Sequence, residues 1–268
     1  MLERLADRLQ HPDADIYVQL DKKSNLADFE HITNVTFVPE RVNTGWCEYS
    51  TIEATIAGFN HILNSGVAYT HINLLSGQDY PLKPIEEFHQ LLFKNRDRTF
   101  VHFLSIADDE WLDGKARFAK YHLGDYGFKG RFFLQKLANA LLPARKLPNK
   151  MKPYGRSQWL TITPGCARYA IDHINNNPRL KRFFRMTWAV DEVFFQTILA
   201  NSPLRDKLYN DNLRYIESFG ANRPTIFTMA HADTLTSSGK FFARKFDTKE
   251  DSEIFDYLDK IIGYADQA

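Results

Sequence analysis

The stretch Tyr69–Pro81, YTHINLLSGQDYP, joins an apolar run to an abrupt polar turn. Its first part, Tyr69–Leu75, has the length and apolar content of a buried β-strand, which Ser76-Gly77 ends. Apolar residues at helical spacing flank it, over Thr51–Leu63 before the strand and over Ile85–Phe93 after it. A strand between two amphipathic helices is typical of an α/β sheet whose faces are covered by helices.

The same alternation extends in both directions along the chain. Strands are predicted over Asp15–Leu20, Asn34–Val38 and Thr99–Phe103. The pattern predicts an α/β fold with a mainly parallel central sheet flanked by helices, and such sheets bind ligands beyond the carboxyl ends of their strands. Further predicted elements are a helix over 2–10, a strand over Gln158–Thr163, and helices over Cys166–Asn175, Asp191–Ala200 and Ser252–Ile262.

Composition and charge exclude several classes of protein. The 268 residues are 44% apolar and carry a net charge of +1, so we expect one sizeable core and no nucleic-acid partner. No run of 18 apolar residues occurs, and the charged N-terminus is unlike a signal peptide. Cys47 and Cys166 are the only cysteines, which suits a reducing compartment. We therefore expect a cytoplasmic protein without a membrane span.

Residues 129–156 contain eight basic residues and no acidic residue, interleaved with phenylalanine and leucine. One interpretation is a basic amphipathic surface that docks on anionic lipid or on an acceptor, and contact with lipid would place the protein at the inner face of the membrane. The other interpretation is a solvated basic helix and loop. The sequence leaves both open.

Six segments carry a family resemblance by their order and spacing. They are Tyr17–Ser24 (YVQLDKKS), Arg41–Ser50 (RVNTGWCEYS), Leu74–Pro81 (LLSGQDYP), Asp191–Leu199 (DEVFFQTIL), Arg223-Pro224, and Phe241–Asp247 (FFARKFD). Together they resemble the Core-2/I-branching β-1,6-N-acetylglucosaminyltransferases and their xylosyltransferase relatives, and we expect a bacterial relative. The resemblance covers nearly the whole chain.

The resemblance implies a single GT-A glycosyltransferase domain over 1–268, with a donor-binding half over about 1–105 and an acceptor and catalytic half over about 106–268. It also implies transfer of a sugar, N-acetylglucosamine first, from a UDP donor to a glycan hydroxyl, with inversion and a β-linkage. A xylose donor is an alternative. A non-catalytic relative that binds carbohydrate or nucleotide is the other.

By this resemblance Glu192 is the catalytic base that takes the proton of the acceptor hydroxyl. Its predicted position in the first turn of a helix favours the charged carboxylate, and Asp191 is predicted as the N-cap. The competing hypothesis is that both acids only cap the helix. Three residues are predicted on the acceptor side, namely Lys115, Arg117 and Asp191.

The diphosphate is expected to be held without a metal or any other cofactor. The resemblance assigns this role to Arg223 and Lys245, an arginine fork and a lysine point charge. Arg244 should face away from Lys245 if the segment is extended. The one Asp-x-Asp triplet, Asp13-Ala14-Asp15, precedes a strand instead of following one, so we interpret it as a loop.

The remaining predicted donor-binding residues follow two strands or line the same pocket. Asp79 is predicted either to bind a donor hydroxyl or to cap its turn, Gly77 to permit a tight turn, and Trp46 either to line the pocket or to pack. The full set is Asp21, Lys23, Arg41, Trp46, Ser50, Gly77, Gln78 and Asp79.

The N-terminus departs from the expected pattern. Nucleotide-sugar domains of this fold usually begin with a strand that forms one wall of the uridine pocket, whereas residues 1–10 contain no apolar β-run. We therefore expect that the first strand is missing. A missing central strand would expose backbone groups and apolar surface, and would weaken donor binding.

Overall fold

The computed structural model describes residues 1–106, 112–219 and 223–264, which form an α/β protein. In these residues the α-helices are α1 Leu2–Arg8, α2 Tyr49–Leu63, α3 Ile85–Lys94, α4 Leu112–Ala119, α5 Arg131–Leu141, α6 Pro164–Asn175, α7 Pro178–Arg185, α8 Phe194–Ala200, α9 Ala232–Ser237 and α10 Glu253–Ile261. The strands are β1 Tyr17–Val18, β2 Thr36–Phe37, β3 Ile72–Asn73, β4 Asp79–Pro81, β5 Thr99–Ser105, β6 Tyr154–Ile162, β7 Leu208–Tyr209, β8 Arg214–Ile216, β9 Ser218–Phe219, β10 Arg223–Pro224 and β11 Phe242–Arg244.

The largest described sheet has the strand order β3-β6-β5-β7. Strand β6 is antiparallel to both β3 and β5, whereas β5 and β7 are parallel. Because β3 and β5 are both antiparallel to β6, they run in the same direction, as the alternation of strands and helices predicts. The pairing is nevertheless mixed where mainly parallel pairing was predicted, since apolar periodicity locates a strand but does not give its direction.

A second, three-stranded sheet has the order β4-β11-β8. Strand β11 is antiparallel to β4, which sets Arg244 opposite Asp79, and parallel to β8, which sets Phe242 opposite Arg214. The two remaining pairs are β1 with β2, which is parallel, and β9 with β10, which is antiparallel. The second sheet therefore brings charged residues from three separate parts of the chain onto neighbouring strands.

The main core lies between the four-stranded sheet and helices α2, α6, α7 and α8. Its fully buried members include Phe184, Phe194 and Leu160. Helix α2 begins where the Asp125 carboxylate accepts hydrogen bonds from the amides of Tyr49 and Ser50, at 3.0 and 3.3 Å. These bonds satisfy two of the amides that a helix start leaves without partners.

A second core joins the chain ends to the three-stranded sheet through one carboxylate. Asp259 of α10 accepts bonds from Arg4 at 2.7 Å, from Arg8 at 2.6 Å and from the Tyr80 hydroxyl at 2.6 Å. Although burial opposes the change, these donors lower the pKa of Asp259. Arg4 also reaches Asp256, whose side chain is exposed. Helix α1 is thus fixed to α10 and to β4.

A cavity of about 960 Å³ separates β1 from β3, with α1, α2 and α3 along its walls. In the described chain β1 pairs with β2 alone and β3 with β6 alone, and residues of both strands line the cavity. The predicted strands Asp15–Leu20 and Tyr69–Leu75 are two residues long in the structure.

The helices agree better with the sequence, because their hydrogen bonds are local. Those predicted over Thr51–Leu63, Ile85–Phe93, Cys166–Asn175 and Ser252–Ile262 are confirmed within two residues at each end. The Asp-x-Asp triplet lies in a turn and loop ahead of β1, as predicted. Both cysteines are free thiols. None of the helices that the structure describes is both long and apolar enough to cross a bilayer.

We predict that Asp259→Ala lowers the free energy of unfolding by about 3 kcal/mol, because it leaves two arginines and the Tyr80 hydroxyl without their shared partner. The matched control is Asp256→Ala, which removes a second carboxylate from Arg4. Since Asp256 is 67% exposed, its loss should cost under about 1 kcal/mol. Urea denaturation measures both values, and equal losses would contradict the account.

Candidate active site

The predicted acidic pair lies on a short 3-10 turn, Val190–Glu192, that precedes α8. The turn follows Ala189, which has a left-handed backbone (φ 49°) and donates its amide to the Cys47 carbonyl at 3.0 Å. Helix α8 begins at Phe194 with Val193 as N-cap, and no side chain caps either element. The prediction that Asp191 is the N-cap was therefore wrong. The hypothesis that both acids serve only as caps is wrong too.

Glu192 is held by a guanidinium and keeps part of its surface open. Nη1 of Arg117, on α4, donates a hydrogen bond to Oε2 of Glu192. The same guanidinium lies 5.5 Å from the ring centre of Trp188, whose indole is in edge contact with Trp46 at 5.7 Å. The Glu192 side chain is 36% exposed, so a substrate can reach it. Arg117 was predicted on the acceptor side, and Lys115 is exposed on the same helix.

Asp191 has the opposite environment to Glu192. Its Oδ1 is buried and accepts no hydrogen bond within the described part of the chain. Burial, and then the negative charge of Glu192, raise the pKa of Asp191 to about 6 against the opposing effect of Arg117. Burial and the same two carboxylates raise the pKa of the Cys47 thiol to about 12. The segment around Cys47 therefore packs directly against the acidic pair.

Arg244 is turned into the protein, in line with the expectation that it does not share the orientation of Lys245. Its Nε lies 3.4 Å from Oδ1 of Asp79, and its guanidinium lies 4.3 Å from the Trp159 ring centre. Burial lowers the pKa of Arg244, against the opposing charges of Asp79, Asp191 and Glu192. Arg244 thus links the buried end of β4 to the acidic pair.

The segments that carry the two predicted diphosphate ligands adjoin each other. The Lys245 amide donates to the Thr225 carbonyl at 3.3 Å, and the Phe227 amide donates to the Lys245 carbonyl at 2.8 Å. Arg223 begins β10, two residues before Thr225. Lys245 is partly exposed and forms no ion pair within residues 1–106, 112–219 and 223–264. The structure therefore brings these two parts of the chain together.

The first group of predicted donor-binding residues forms a tightly bonded loop. Asp21 accepts hydrogen bonds from the Lys23 amide at 2.8 Å and from the Thr44 hydroxyl. Although burial acts to raise the pKa of Asp21, these hydrogen bonds lower it. The Lys23 ammonium donates to the Thr44 carbonyl at 2.6 Å. Arg41 donates to the carbonyls of Leu20, Asp21 and Ser24. The guanidinium of Arg41 therefore holds the loop in shape. The sequence predicted Arg41 in the lining of the donor pocket, but it does not line the cavity beside this loop.

A polar cavity of about 530 Å³ opens beside this loop. Lys23, Ser50 and Asp125 are among the residues that line it, together with Arg185. The Ser50 hydroxyl accepts the Gly45 amide at 2.8 Å. Trp46 is 78% exposed and is not among the residues that line the cavity, and its indole packs edge-on against Trp188. Lys23 and Ser50 are the predicted donor residues that share one cavity.

The second group of predicted donor-binding residues serves the framework. Asp79 is fully buried, and of its two predicted roles the structure has the turn cap, since its carboxylate accepts the Ser76 amide. Gly77 does not have a positive φ, and a Cβ there would meet no atom within 4 Å. The turn was predicted to need a glycine at this position, and it does not. The Gln78 carbonyl accepts the Phe246 amide at 2.9 Å. These residues position β11, which ends beside Lys245.

Sequence reasoning missed several residues of the site, above all Trp188 and Cys47. Trp188 lies only four residues before Glu192, and this spacing next to a predicted catalytic acid was the available signal. Cys47 gave no signal, because its contact with the acidic pair runs through the backbone bond to Ala189. The role of Arg117 as the direct partner of Glu192 was also missed.

Fold and site together define a mixed α/β protein with a partly open carboxylate that is held by a guanidinium. The model of the Core-2/I-branching enzyme family matches residues 1–236, and the chain belongs to that family.

The relatives are named as xylosyltransferases. Xylosyltransferase 2 of Rattus norvegicus is 26% identical over 285 residues, which cover 96% of this chain and 32% of the relative. The xylosyltransferase of Ciona intestinalis is 24% identical with the same coverage, and xylosyltransferase 1 of Pan troglodytes is 26% identical over 96% of this chain and 29% of its own length. The chain thus spans about a third of the length of these relatives.

We predict that Asp191 makes stability fall as the pH rises. Its pKa in the folded protein, about 6, lies above the ordinary value of 3.8. Its stabilising contribution is therefore complete below about pH 4 and is lost as the pH rises through about 6. Relative to Asp191→Asn, the free energy of unfolding of the wild type should drop by roughly 2–3 kcal/mol between about pH 4 and pH 7. If the free energies of unfolding of the wild type and of Asp191→Asn, measured by urea denaturation, change in parallel with pH, the prediction is contradicted.

Proposed function

We propose that this chain is the glycosyltransferase unit of an enzyme that moves a sugar from a UDP donor to a hydroxyl of a glycan acceptor, with inversion and without a divalent metal. The observation that carries the proposal is Glu192, which is 36% exposed and oriented by Arg117. The segments of Arg223 and Lys245 adjoin each other through the bond from the Lys245 amide to the Thr225 carbonyl. Family membership supports the reaction class.

In the proposed reaction Glu192 takes the proton of the acceptor hydroxyl. The acceptor oxygen then bonds to the anomeric carbon from the face opposite the diphosphate, and the bond between that carbon and the diphosphate oxygen breaks. Arg117 keeps the carboxylate in place, so that little ordering is needed when the acceptor arrives. Asp191, on the same turn, is proposed to contribute on the acceptor side.

The leaving UDP gains negative charge as the bond breaks. Arg223 and Lys245 are proposed to stabilise that charge in the role that a divalent metal ion often fills. Arginine and lysine side chains suit this role because both bind phosphate oxygens as cations. The short chain distance from Arg223 to Thr225, which bonds to Lys245, supports a shared role. Among the described residues no group of three metal-ligating side chains occurs, but metal independence itself remains a proposal.

The donor sugar is proposed to be N-acetylglucosamine or xylose. The resemblance of the motifs suggested N-acetylglucosamine first, whereas the names of the relatives favour xylose. A non-catalytic relative that only binds nucleotide or carbohydrate is a further alternative, which the turnover experiment below decides. The cavity lined by Lys23 and Ser50 is proposed as part of the donor site.

The test measures UDP release from UDP-N-acetylglucosamine and from UDP-xylose in EDTA. Glu192→Gln should lower turnover by about 10²–10⁴-fold, because glutamine cannot take the proton. The amide oxygen can still accept the bond from Arg117, so folding and UDP binding should persist. The control is Glu86→Gln, another exposed glutamate with a side-chain partner, the His11 ring at 2.9 Å, which should leave turnover unchanged.

Lys245→Ala should weaken UDP binding by about tenfold or more, the effect expected for a lost bond to a charged group. If the Glu192→Gln variant turns over at the rate of the wild type, Glu192 is excluded as the base. UDP binding without any turnover of either donor would favour the non-catalytic alternative. Unchanged UDP affinity in Lys245→Ala would exclude the proposed diphosphate site.

A further inference from the structure

Helix α5 is attached to the protein by its polar side and exposes its apolar side. Gln135 accepts the Leu123 amide at 2.8 Å, and Asn139, one turn later, accepts the Tyr121 amide at 2.7 Å and donates to the Tyr121 carbonyl at 2.8 Å. No residue of α5 is buried. The helix is therefore oriented inversely to an ordinary surface helix, which buries its apolar face.

The outer face of α5 presents large apolar side chains at helical spacing, and their exposed fractions are Phe133 69%, Leu134 46%, Leu137 43% and Leu141 72%. At the two ends of the helix Phe132 is 57% and Leu142 is 53% exposed. Phe128, just before the helix, adds a side chain that is 42% exposed. Scattered apolar residues are normal on a protein surface, but a continuous group of large ones marks a contact with a partner or a membrane.

The chain segment that contains this face carries charge of one sign. The sequence contains no aspartate or glutamate between Asp125 and Asp172, whereas exposed lysines stand on both sides of the helix and on it. These exposed lysines are Lys129, Lys136, Lys146, Lys150 and Lys152. The surface thus combines large apolar side chains with a cationic surround, which complements a bilayer that contains anionic lipid.

The surface is also fixed in place before any partner arrives. Arg145, after the end of α5, donates to the carbonyls of Phe183 and Met186 and to that of Lys120 at 2.8 Å. Its guanidinium lies 4.0 Å from the ring centre of Phe183. Arg145 is therefore occupied by the body of the protein and anchors the segment. A preformed surface loses little conformational entropy on docking.

We propose that the outer face of α5, with the lysines around it, docks in the plane of a membrane that contains anionic lipid. A second copy of the chain fits less well, because a contact between two such faces would bring like charges together. A protein partner in general fits less well too, since protein interfaces are depleted in lysine. The apolar side chains enter the boundary between headgroups and acyl chains, and the lysines contact the headgroups.

The test is sedimentation of the full chain with vesicles of phosphatidylcholine alone and of phosphatidylcholine mixed with phosphatidylglycerol. The wild type should bind the mixed vesicles, and raising the salt concentration should weaken binding because exposed charges are screened. Phe133→Ser combined with Leu141→Ser should lower binding by about tenfold or more. Lys129→Glu combined with Lys136→Glu should abolish the preference for the anionic vesicles.

The matched control is Phe93→Ser, which removes a phenylalanine that is 67% exposed but lies on α3, outside this surface. It should bind vesicles like the wild type. Every variant should keep the melting temperature of the wild type, because the altered side chains are exposed. Two results would overturn the proposal: vesicle binding that is absent or is unchanged by the α5 variants, or self-association without lipid that the same variants abolish, which would assign the face to a second copy.

Discussion

A fully buried carboxylate, Asp79, lies beside the largely buried guanidinium of Arg244, and the arrangement of the site depends on that contact. Arg244 lies 3.4 Å from Asp79 on the neighbouring strand, and the charge of Arg214 also acts on the carboxylate. Because a buried charge without a partner is costly, none of the three can be removed without penalty to the others. Burial raises the pKa of Asp79, and the charge of Arg244, the hydrogen bond from the Ser76 amide and the charge of Arg214 oppose that change.

Arg214 links the three-stranded sheet to the four-stranded sheet. It stands on β8 of the three-stranded sheet, yet its guanidinium donates to the carbonyl of Leu74 at 2.8 Å, to that of Leu160 at 3.3 Å and to the Asn73 side chain. These acceptors belong to β3 and β6 or adjoin them. The polar cluster therefore joins the two sheets where apolar packing alone would not fix their register. The same register places Arg244, at the end of β11, where the charges of Asp191 and Glu192 act on it.

Local patterns in the sequence predicted the helices and the residues of the acidic pair, but not the partners that long-range contacts supply. Helix α2 was predicted closely because its periodicity is local, whereas the cap of that helix comes from Asp125, which is distant in sequence. Arg244 was set aside as facing away from the diphosphate, and nothing in its neighbours indicates that it pairs with Asp79. Arg117 was predicted near the acceptor, while its contact with Glu192 joins helix α4 to a turn that is remote in the chain. Strand direction was missed for the same reason, since pairing partners of β6 lie far away along the sequence.

The central claim is that side chains of this protein, rather than a bound cation, hold the diphosphate of the donor. The most direct test is calorimetric titration of UDP into the full chain, once in EDTA and once in excess Mn²⁺. The account predicts the same affinity in both, and a steady loss of affinity with rising salt because the contact is between charges. Binding that occurs only when Mn²⁺ is present would contradict it.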